Sequence, residues 1–304
     1  MPIKRNDNLF NNPHHGCTIF SASYGNTVLF GNNEDMFTGK GFRWFLQFYP
    51  PSSPGYGYLT FNSYLGKGLG RGRGGIEGGV NDHGLAFDVN ALPPLSLNPH
   101  PEKTPYDDVA FKTRAFREFS KVSEVIDMAK ATDWRRITGQ FFVADATGDA
   151  VVISGGVDGE IAFTRKELGD GYLVSTNFNR ANPENGTCPC WRYDTAVAML
   201  DKIKHEDDLT VDYFRSVLTA VHRESASVNT IYSNICDLKN GRVYMYYFHQ
   251  FHRVVELNLA DEFAREGRTV QIRDLFPQET VAAASAEYQG YRKSAKRSPR
   301  KLMA

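Results

Sequence analysis

Two short runs rich in apolar and β-branched residues, CTIFSAS (17–23) and TVLFG (27–31), flank a Gly25-Asn26 pair, and this pattern constrains the chain more than any other. A Gly-Asn pair between such runs suits a two-residue turn with positive backbone φ, so the spacing predicts a tight β-hairpin. With Gly25 and Asn26 as the loop, Cys17 lies across from Glu34 and diagonal to Asn33 and Asp35. Neighbouring strands run about 5 Å apart, and diagonal side chains remain within reach. A thiol therefore meets the polar string NNED (32–35), and an error of one residue in register changes only which carboxylate faces it.

Further strands are predicted over RWFLQFY (43–49), GYLTFN (57–62) and GLAFDVNAL (84–92), which makes the first part of the chain a meandering sheet. The glycine-dense GKGLGRGRGG (66–75) lacks the Gly-Lys-Ser/Thr of a phosphate loop and reads as a loop. Helical apolar spacing follows over 105–120, and KVSEVIDMAK (121–130) offers Ser123 as an N-cap for a second helix. Strands return at 139–155, 160–165 and 171–177, then helices at 191–203 and, capped by Thr210, at 211–222. NTIYSNICDL (229–238) and RVYMYYFHQF (242–251) form a closing hairpin around Lys239-Asn240-Gly241. This alternation of strand and helix blocks predicts layered sheets covered by helices.

The 304 residues, 41% of them hydrophobic, can bury an ample core, which excludes a disordered or collagen-like chain. The length allows one or two domains. With 35 Lys+Arg against 35 Asp+Glu, no net charge argues for a nucleic-acid or membrane partner. The exception is the tail 288–304, with six basic and no acidic residues, which reads as a solvated, frayed terminus. No apolar run approaches the roughly 18 residues that span a bilayer, and the start has no signal-peptide core, so the chain as given reads as cytoplasmic. Four cysteines, Cys17, Cys188, Cys190 and Cys236, are too few for a disulfide framework and include no CxxC pair. His249 with His252 has no third ligand nearby in sequence, and His14 and His15 lie in the head, so neither a metal site nor a papain-like Cys–His pair is expected. No cofactor is implied.

The chemistry concentrates on Cys17. Were the chain cut between Gly16 and Cys17, that residue would own a thiol of reference pKa about 8.5 and an α-amine of about 7.7–8.0, close enough for the amine to serve its own side chain as base. Asp35 could then orient the ammonium. The competing reading is a core cysteine beside a polar hairpin end. Phe42, Trp44, Phe45, Phe48, Tyr56 and Tyr58 would build either an apolar acyl pocket or simply sheet core, with Trp44, Leu46 and Phe48 on one face.

The string GCTIFSASYGNTVLFGNNEDM resembles the N-terminal signature of the N-terminal-nucleophile (Ntn) hydrolases of the choloylglycine hydrolase, penicillin V acylase and isopenicillin N acyltransferase superfamily. GGVNDHGLAFDVNAL (78–92), GYLVSTNF (171–178), WRYDTA (191–196) and NTIYSNICDLKNGRVYMYY (229–247) are similar to later blocks of that family, in family order. The resemblance implies an α+β chain folded as a four-layer αββα sandwich, with residues 17–280 as a single domain, 1–16 as a propeptide removed autocatalytically, and 281–304 as a basic tail. It also implies that Cys17 is the nucleophile, that Asp35 binds the new α-amine, that Asn90 and Asn177 line the oxyanion hole or organise the nucleophile, and that Arg192 supports the site by charge. The activity implied is hydrolysis of a small-molecule N-acyl linear amide by a homo-oligomer. Acyl transfer, dipeptidase activity or a catalytically silent binding role on the same fold are the alternatives. One departure bears on substrate: Asn32 stands where choloylglycine hydrolases usually carry arginine, which weakens the case for carrying bile-salt or penicillin V specificity over to this chain.

Overall fold

The computed structural model describes residues 16–38, 42–65, 73–166, 168–186 and 188–297. Its strands are β1 (Thr18–Tyr24), β2 (Thr27–Phe37), β3 (Phe42–Tyr49), β4 (Tyr58–Leu65), β5 (Arg73–Asn81), β6 (Ala86–Ser96), the short β7 (Thr104–Pro105) and β8 (Thr132–Asp133), β9 (Arg136–Ala144), β10 (Ala150–Gly155), β11 (Ile161–Arg165), β12 (Gly171–Ser175), β13 (Val228–Asp237), β14 (Arg242–Tyr247), β15 (Val255–Asn258) and β16 (Arg268–Gln271). The α-helices are α1 (Asp108–Glu118), α2 (Val122–Lys130), α3 (Trp191–Leu200), α4 (Val211–Val221), α5 (Leu259–Phe263) and α6 (Gln278–Arg297).

Two antiparallel sheets carry the molecule, one in the order β12-β1-β2-β13-β14-β15 and the other β11-β10-β9-β6-β5-β4-β3-β16. The period-2 alternation of β1 and β2 explains how they stack. Ile19, Val28 and Phe30 point into a core shared with Phe61, Val80, Phe142 and Val152 of the larger sheet. Phe20, Ala22 and Leu29 point the other way, against Ala196 and Leu200 of α3 and Phe214, Val217 and Leu218 of α4. On the far side of the larger sheet, Phe87, Phe141 and Val151 pack against Phe111 and Phe116 of α1 and Val125 of α2. Helix, sheet, sheet, helix: the αββα sandwich implied by the resemblance is the observed architecture. Among the described residues no helix is long and apolar enough to cross a membrane.

The hairpin has the expected register, with Thr18 opposite Asn33 and Tyr24 opposite Thr27, and Gly25 takes φ +55 in the turn. Thr210 caps α4 as expected, its Oγ1 accepting from the Tyr213 N–H at 3.1 Å.

Other expectations fail for physical reasons. Ser123 lies inside α2 rather than capping it: Glu124 accepts the N–H groups of Ser120 and Lys121, both at 2.9 Å, and Asp145 accepts that of Val122 at 2.8 Å, so the helix starts before the serine. The loop expected over 66–75 is strand from Arg73 onward, held by pairing with β4; residues 66–72 lie outside the described residues. The tail is helical through Arg297 rather than frayed, with 298–304 outside the described residues, and the edge strands β15 and β16 had no sequence signal.

Phe214 is fully buried against Phe20, ring centroids 4.7 Å apart, where the hairpin meets the helical layer. Phe214→Ala should lower the unfolding free energy by about 3–5 kcal/mol, read as a shift of the urea midpoint at unchanged slope.

Candidate active site

Strand parity decides what the thiol meets. Cys17 shares the inter-sheet face with Ile19, Val28 and Phe30, and so does Glu34. The Cys17 Sγ lies 3.2 Å from Glu34 Oε2. Asn33 and Asp35 belong to the opposite face: Asn33 Nδ2 donates to the Leu218 carbonyl of α4 at 2.8 Å. Of the two carboxylates left open by the sequence, Glu34 faces the thiol and Asp35 lies behind it. A bulge in β13 between Thr230 and Tyr232 then places Thr230 opposite Asp35 and Tyr232 opposite Glu34. Without that extra residue, 230 and 232 would share one face. As built, the Thr230 hydroxyl donates to Asp35 Oδ1 at 2.6 Å, while the Tyr232 ring stands on the inner side.

Arg192 binds these parts together. Cys190 is the N-cap of α3, so Arg192 sits in the first turn and its side chain runs inward. Its Nη1 donates to the carbonyls of Gly16 (2.6 Å) and Cys17 (2.9 Å) and to Thr18 Oγ1 (2.8 Å), and it lies 3.5 Å from Asp35 Oδ2. Its Nη2 donates to Asn177 Oδ1 at 2.9 Å. Asn90, on the inner face of the larger sheet, donates from Nδ2 to the Cys17 carbonyl at 2.9 Å and accepts from the Ser175 hydroxyl, to which Gln140 in turn donates at 2.9 Å. Asn177 donates to the Ala91 carbonyl at 2.8 Å. Of the residues singled out from the sequence, Asn90 and Arg192 bond directly to the main chain at Gly16 and Cys17, and Asp35 and Asn177 are tied to it through Arg192. Gly16 has φ +144, and a Cβ there would fall 1.5 Å from Asn177 Oδ1, so only glycine fits before the cysteine.

Sequence reasoning did not assign functions to Glu34, Thr230, Tyr232, the half-buried Glu77 or the buried Asp88. The electrostatics depend on them. Burial, then the negative charges of Glu34, Asp35 and Asp88, push the Cys17 thiol well above its ordinary value, opposed by the Asp35 backbone N–H aimed at the sulfur. Glu34 is also pushed well up, by burial and then by Glu77 and Asp88, so it is a stronger base than an ordinary carboxylate. Burial raises Asp35 to about 6, with Arg192 and the Thr230 hydrogen bond pulling it down. Asn32, at the position of the missing arginine, is fully buried with neither end of its amide paired among the described residues.

A cavity of about 420 Å³ opens behind the Tyr232 ring, bounded by Met36, Trp44, Tyr247, Arg273 and Tyr288 among others. Trp44 contacts Tyr232 edge-on at 5.5 Å. The aromatic cluster read from sequence is thus divided. Trp44 lines the cavity, and Phe48 is core between the sheets. Phe45 packs on Tyr64, Tyr56 stacks on His83, and Tyr58 lies in the outer core. The side chain of Phe42 lies outside the described residues.

The profile of the acyl-coenzyme A:6-aminopenicillanic acid acyl-transferase family matches residues 23–252. The chain belongs to this family. The matched span of the acyl-transferase family begins beyond Cys17 and includes Asp35, Asn90, Asn177 and Arg192. Solved structures with the same fold include two single-residue variants of conjugated bile acid hydrolase from Clostridium perfringens. One, with an arginine replaced by leucine, has a TM-score of 0.63 at 16% identity, covering 84% of this chain and 97% of that one. The other, with a cysteine replaced by alanine, gives 0.62 at 16% identity, covering 84% and 96%. Penicillin V acylase from Agrobacterium tumefaciens gives 0.54 at 16% identity, covering 76% and 83%. No curated protein matches the chain. The Ntn-hydrolase superfamily resemblance read from the sequence therefore holds for family and fold alike.

Removing the Arg192 charge would leave buried Asp35 with only the Thr230 hydrogen bond and the weaker pull of Arg223 and His222, so Arg192→Leu should cost about 3 kcal/mol at pH 8. Without the guanidinium the folded-state pKa of Asp35 would rise further above about 6, already higher than its unfolded value. A group raised in the folded state loses stability as pH rises through its folded pKa. The deficit against wild type should accordingly shrink as the pH is lowered from 8 to 5, a trend that urea titrations at each pH measure directly.

Proposed function

We propose that the chain is a self-processing cysteine hydrolase that frees Cys17 by cutting after Gly16 and then cleaves a small linear N-acyl amide through a Cys17 acyl-enzyme. The observation that carries this reading is the Gly16–Cys17 peptide itself. Its carbonyl oxygen accepts from a buried guanidinium at 2.6 Å, while the adjoining thiol touches a carboxylate at 3.2 Å. An oxyanion donor and a base thus flank one peptide bond, the arrangement that acyl transfer to a thiol requires.

In the first step the Sγ–H proton passes to Glu34 and sulfur bonds to the Gly16 carbonyl carbon, the negative charge developing on an oxygen held by Arg192. The C–N bond then breaks, Glu34 returns the proton to the departing Cys17 nitrogen, and water hydrolyses the thioester, releasing 1–16 as a carboxylic acid. The thiol, raised by burial and then by its acidic surroundings, needs such a base in contact. In later turnovers the free α-amine takes over as base, with Asp35 accepting from the ammonium. The substrate carbonyl would occupy the space left by Gly16, beside Arg192 and Asn177, with Asn90 holding the Cys17 carbonyl in place. The cavity behind Tyr232, where Trp44, Tyr247 and Tyr288 share the wall with Arg43, Arg273 and Arg292, is the space available to the acyl group.

Purified wild-type protein should begin at Cys17, whereas Cys17→Ala should retain residues 1–16; intact mass and N-terminal sequencing distinguish the two. Wild type that is active with its head attached would overturn the mechanism. Gly16→Ala should slow the cut at least about tenfold, since the new methyl collides with Asn177. Amidase activity should fall as the pH drops through the Asp35 pKa, which the new ammonium holds below the value of about 6 found with the Gly16–Cys17 peptide intact, because neutral Asp35 no longer holds the ammonium. A hydroxylamine-sensitive adduct on Cys17, trapped across a panel of N-acyl amides, would identify the acyl group.

Acyl transfer is the second reading, favoured by the description of the family. It differs only in the group that attacks the acyl-enzyme, and added amine acceptors that divert product from acid to amide would reveal it.

A further inference from the structure

The C-terminal end of α4, the segment leading into β13, the end of β14 and α6 meet in a cluster that the amide chemistry does not use. His222 follows α4, Glu224 lies two residues on, and His249 lies just past β14. One ligand atom from each lies within 4.8 Å of those of the other two.

The hydrogen bonds behind the two rings set their tautomers. His222 Nδ1 lies 2.6 Å from the Thr219 carbonyl, which can only accept, so the proton is on Nδ1 and Nε2 of the neutral ring presents its lone pair. That nitrogen faces Glu224 Oε2 at 3.3 Å. Either a second proton on the ring, making Nε2 a donor to Glu224, or a cation held between the two atoms satisfies this contact. His249 Nδ1 likewise donates to Glu287 Oε1 at 2.6 Å, and the side chain is only 6% exposed. Its Nε2 is buried without a partner among the described residues. A buried polar atom left unpaired costs about 1–3 kcal/mol. Glu287 is itself oriented by Gln250 Nε2 at 3.1 Å, and Glu224 accepts from the Tyr291 hydroxyl.

We propose that His222, Glu224 and His249 form a binding site for a transition-metal dication of the zinc class. Histidine ligands of such ions characteristically donate their second nitrogen to a carbonyl or carboxylate, as both rings do here. Zinc bonds of about 2.0–2.1 Å in tetrahedral geometry put ligand atoms about 3.3 Å apart, the separation already present between His222 and Glu224. His249 has to approach by at most about 1.5 Å to complete the set, leaving a fourth position for water. Glu224 and Glu287 together balance the two positive charges. Two imidazoles and one carboxylate favour a borderline-soft ion over magnesium, which prefers oxygen ligands.

The consequence would be mechanical. α6 supplies Glu287 and Tyr291 to the cluster and Ala284, Ser285, Tyr288 and Arg292 to the wall of the large cavity. A bound metal would clamp that wall to α4 and to β13, the strand that carries Thr230 and Tyr232.

The test uses the full chain, stripped with a chelator and titrated with zinc chloride by calorimetry, with metal content measured after desalting. The expected result is about one zinc per chain, a cobalt(II) derivative with the visible absorption of a tetrahedral site, and no competition from magnesium. His222→Ala and Glu224→Gln should each weaken zinc at least about a hundredfold, and Glu287→Gln, a positioning variant, by about 10–100-fold. His252→Ala, at an exposed neighbouring histidine, should bind as wild type does. Circular dichroism verifies folding, and Glu224→Gln with the cobalt spectrum carries the test if a histidine variant does not fold. Failure to bind stoichiometric zinc, or affinity unchanged in both His222→Ala and Glu224→Gln, would overturn the proposal. None of these measurements needs an amide substrate, so they stand or fall apart from the proposed hydrolase activity.

Discussion

A guanidinium almost wholly removed from water, that of Arg192, ties the first residues of β1 to the helical layer and to the strand ends that surround them. It donates to two consecutive main-chain carbonyls, a threonine hydroxyl and an asparagine amide, and stands beside a buried aspartate. Only arginine has a planar, permanently charged fork that can satisfy so many acceptors at once. The same contacts that anchor the chain also place a positive charge on the Gly16 carbonyl, so the stability of this corner and its suitability for acyl chemistry have one origin.

The second constraint is the pleat. Cys17 and Glu34 share a face because the hairpin turn has two residues, and Asp35 falls on the other face for the same reason. The bulge in β13 lets the next strand serve both faces at adjacent positions, Thr230 for Asp35 and Tyr232 for the cavity. A thiol and two carboxylates that are near neighbours in the sheet thereby acquire different environments. Glu34 is driven strongly upward by burial and then by the acids around it, while Asp35, also raised by burial, is restrained by Arg192. Paired acids pushed apart in this way are suited to different roles in proton transfer.

Much of this was legible in local sequence. The Gly25-Asn26 turn and the alternation about it predicted the hairpin register, since turn geometry and side-chain period are short-range properties. Thr210 announced α4 because its cap is three residues away, whereas Ser123 misled because the groups that cap α2 come from Glu124 and from the distant Asp145. β15 and β16 are short edge strands, and α6 has a polar surface over much of its length. Their order comes from what they pack against rather than from any pattern of their own.

The chain's own pattern determined the sandwich, the opposition of Cys17 to the NNED string and, through its resemblance to a known superfamily, the set of residues that meet around the nucleophile. Only the tertiary structure decided that Glu34 faces the sulfur, that Gly16 is wedged against Asn177, that the aromatic cluster divides between cavity and core, and that His249 finds its partners in His222 and Glu224 rather than His252. Periodicity and turn chemistry act over a few residues and survive in a linear reading. Burial, charge coupling and the meeting of side chains more than a hundred positions apart exist only once the layers have closed, so no local pattern records them.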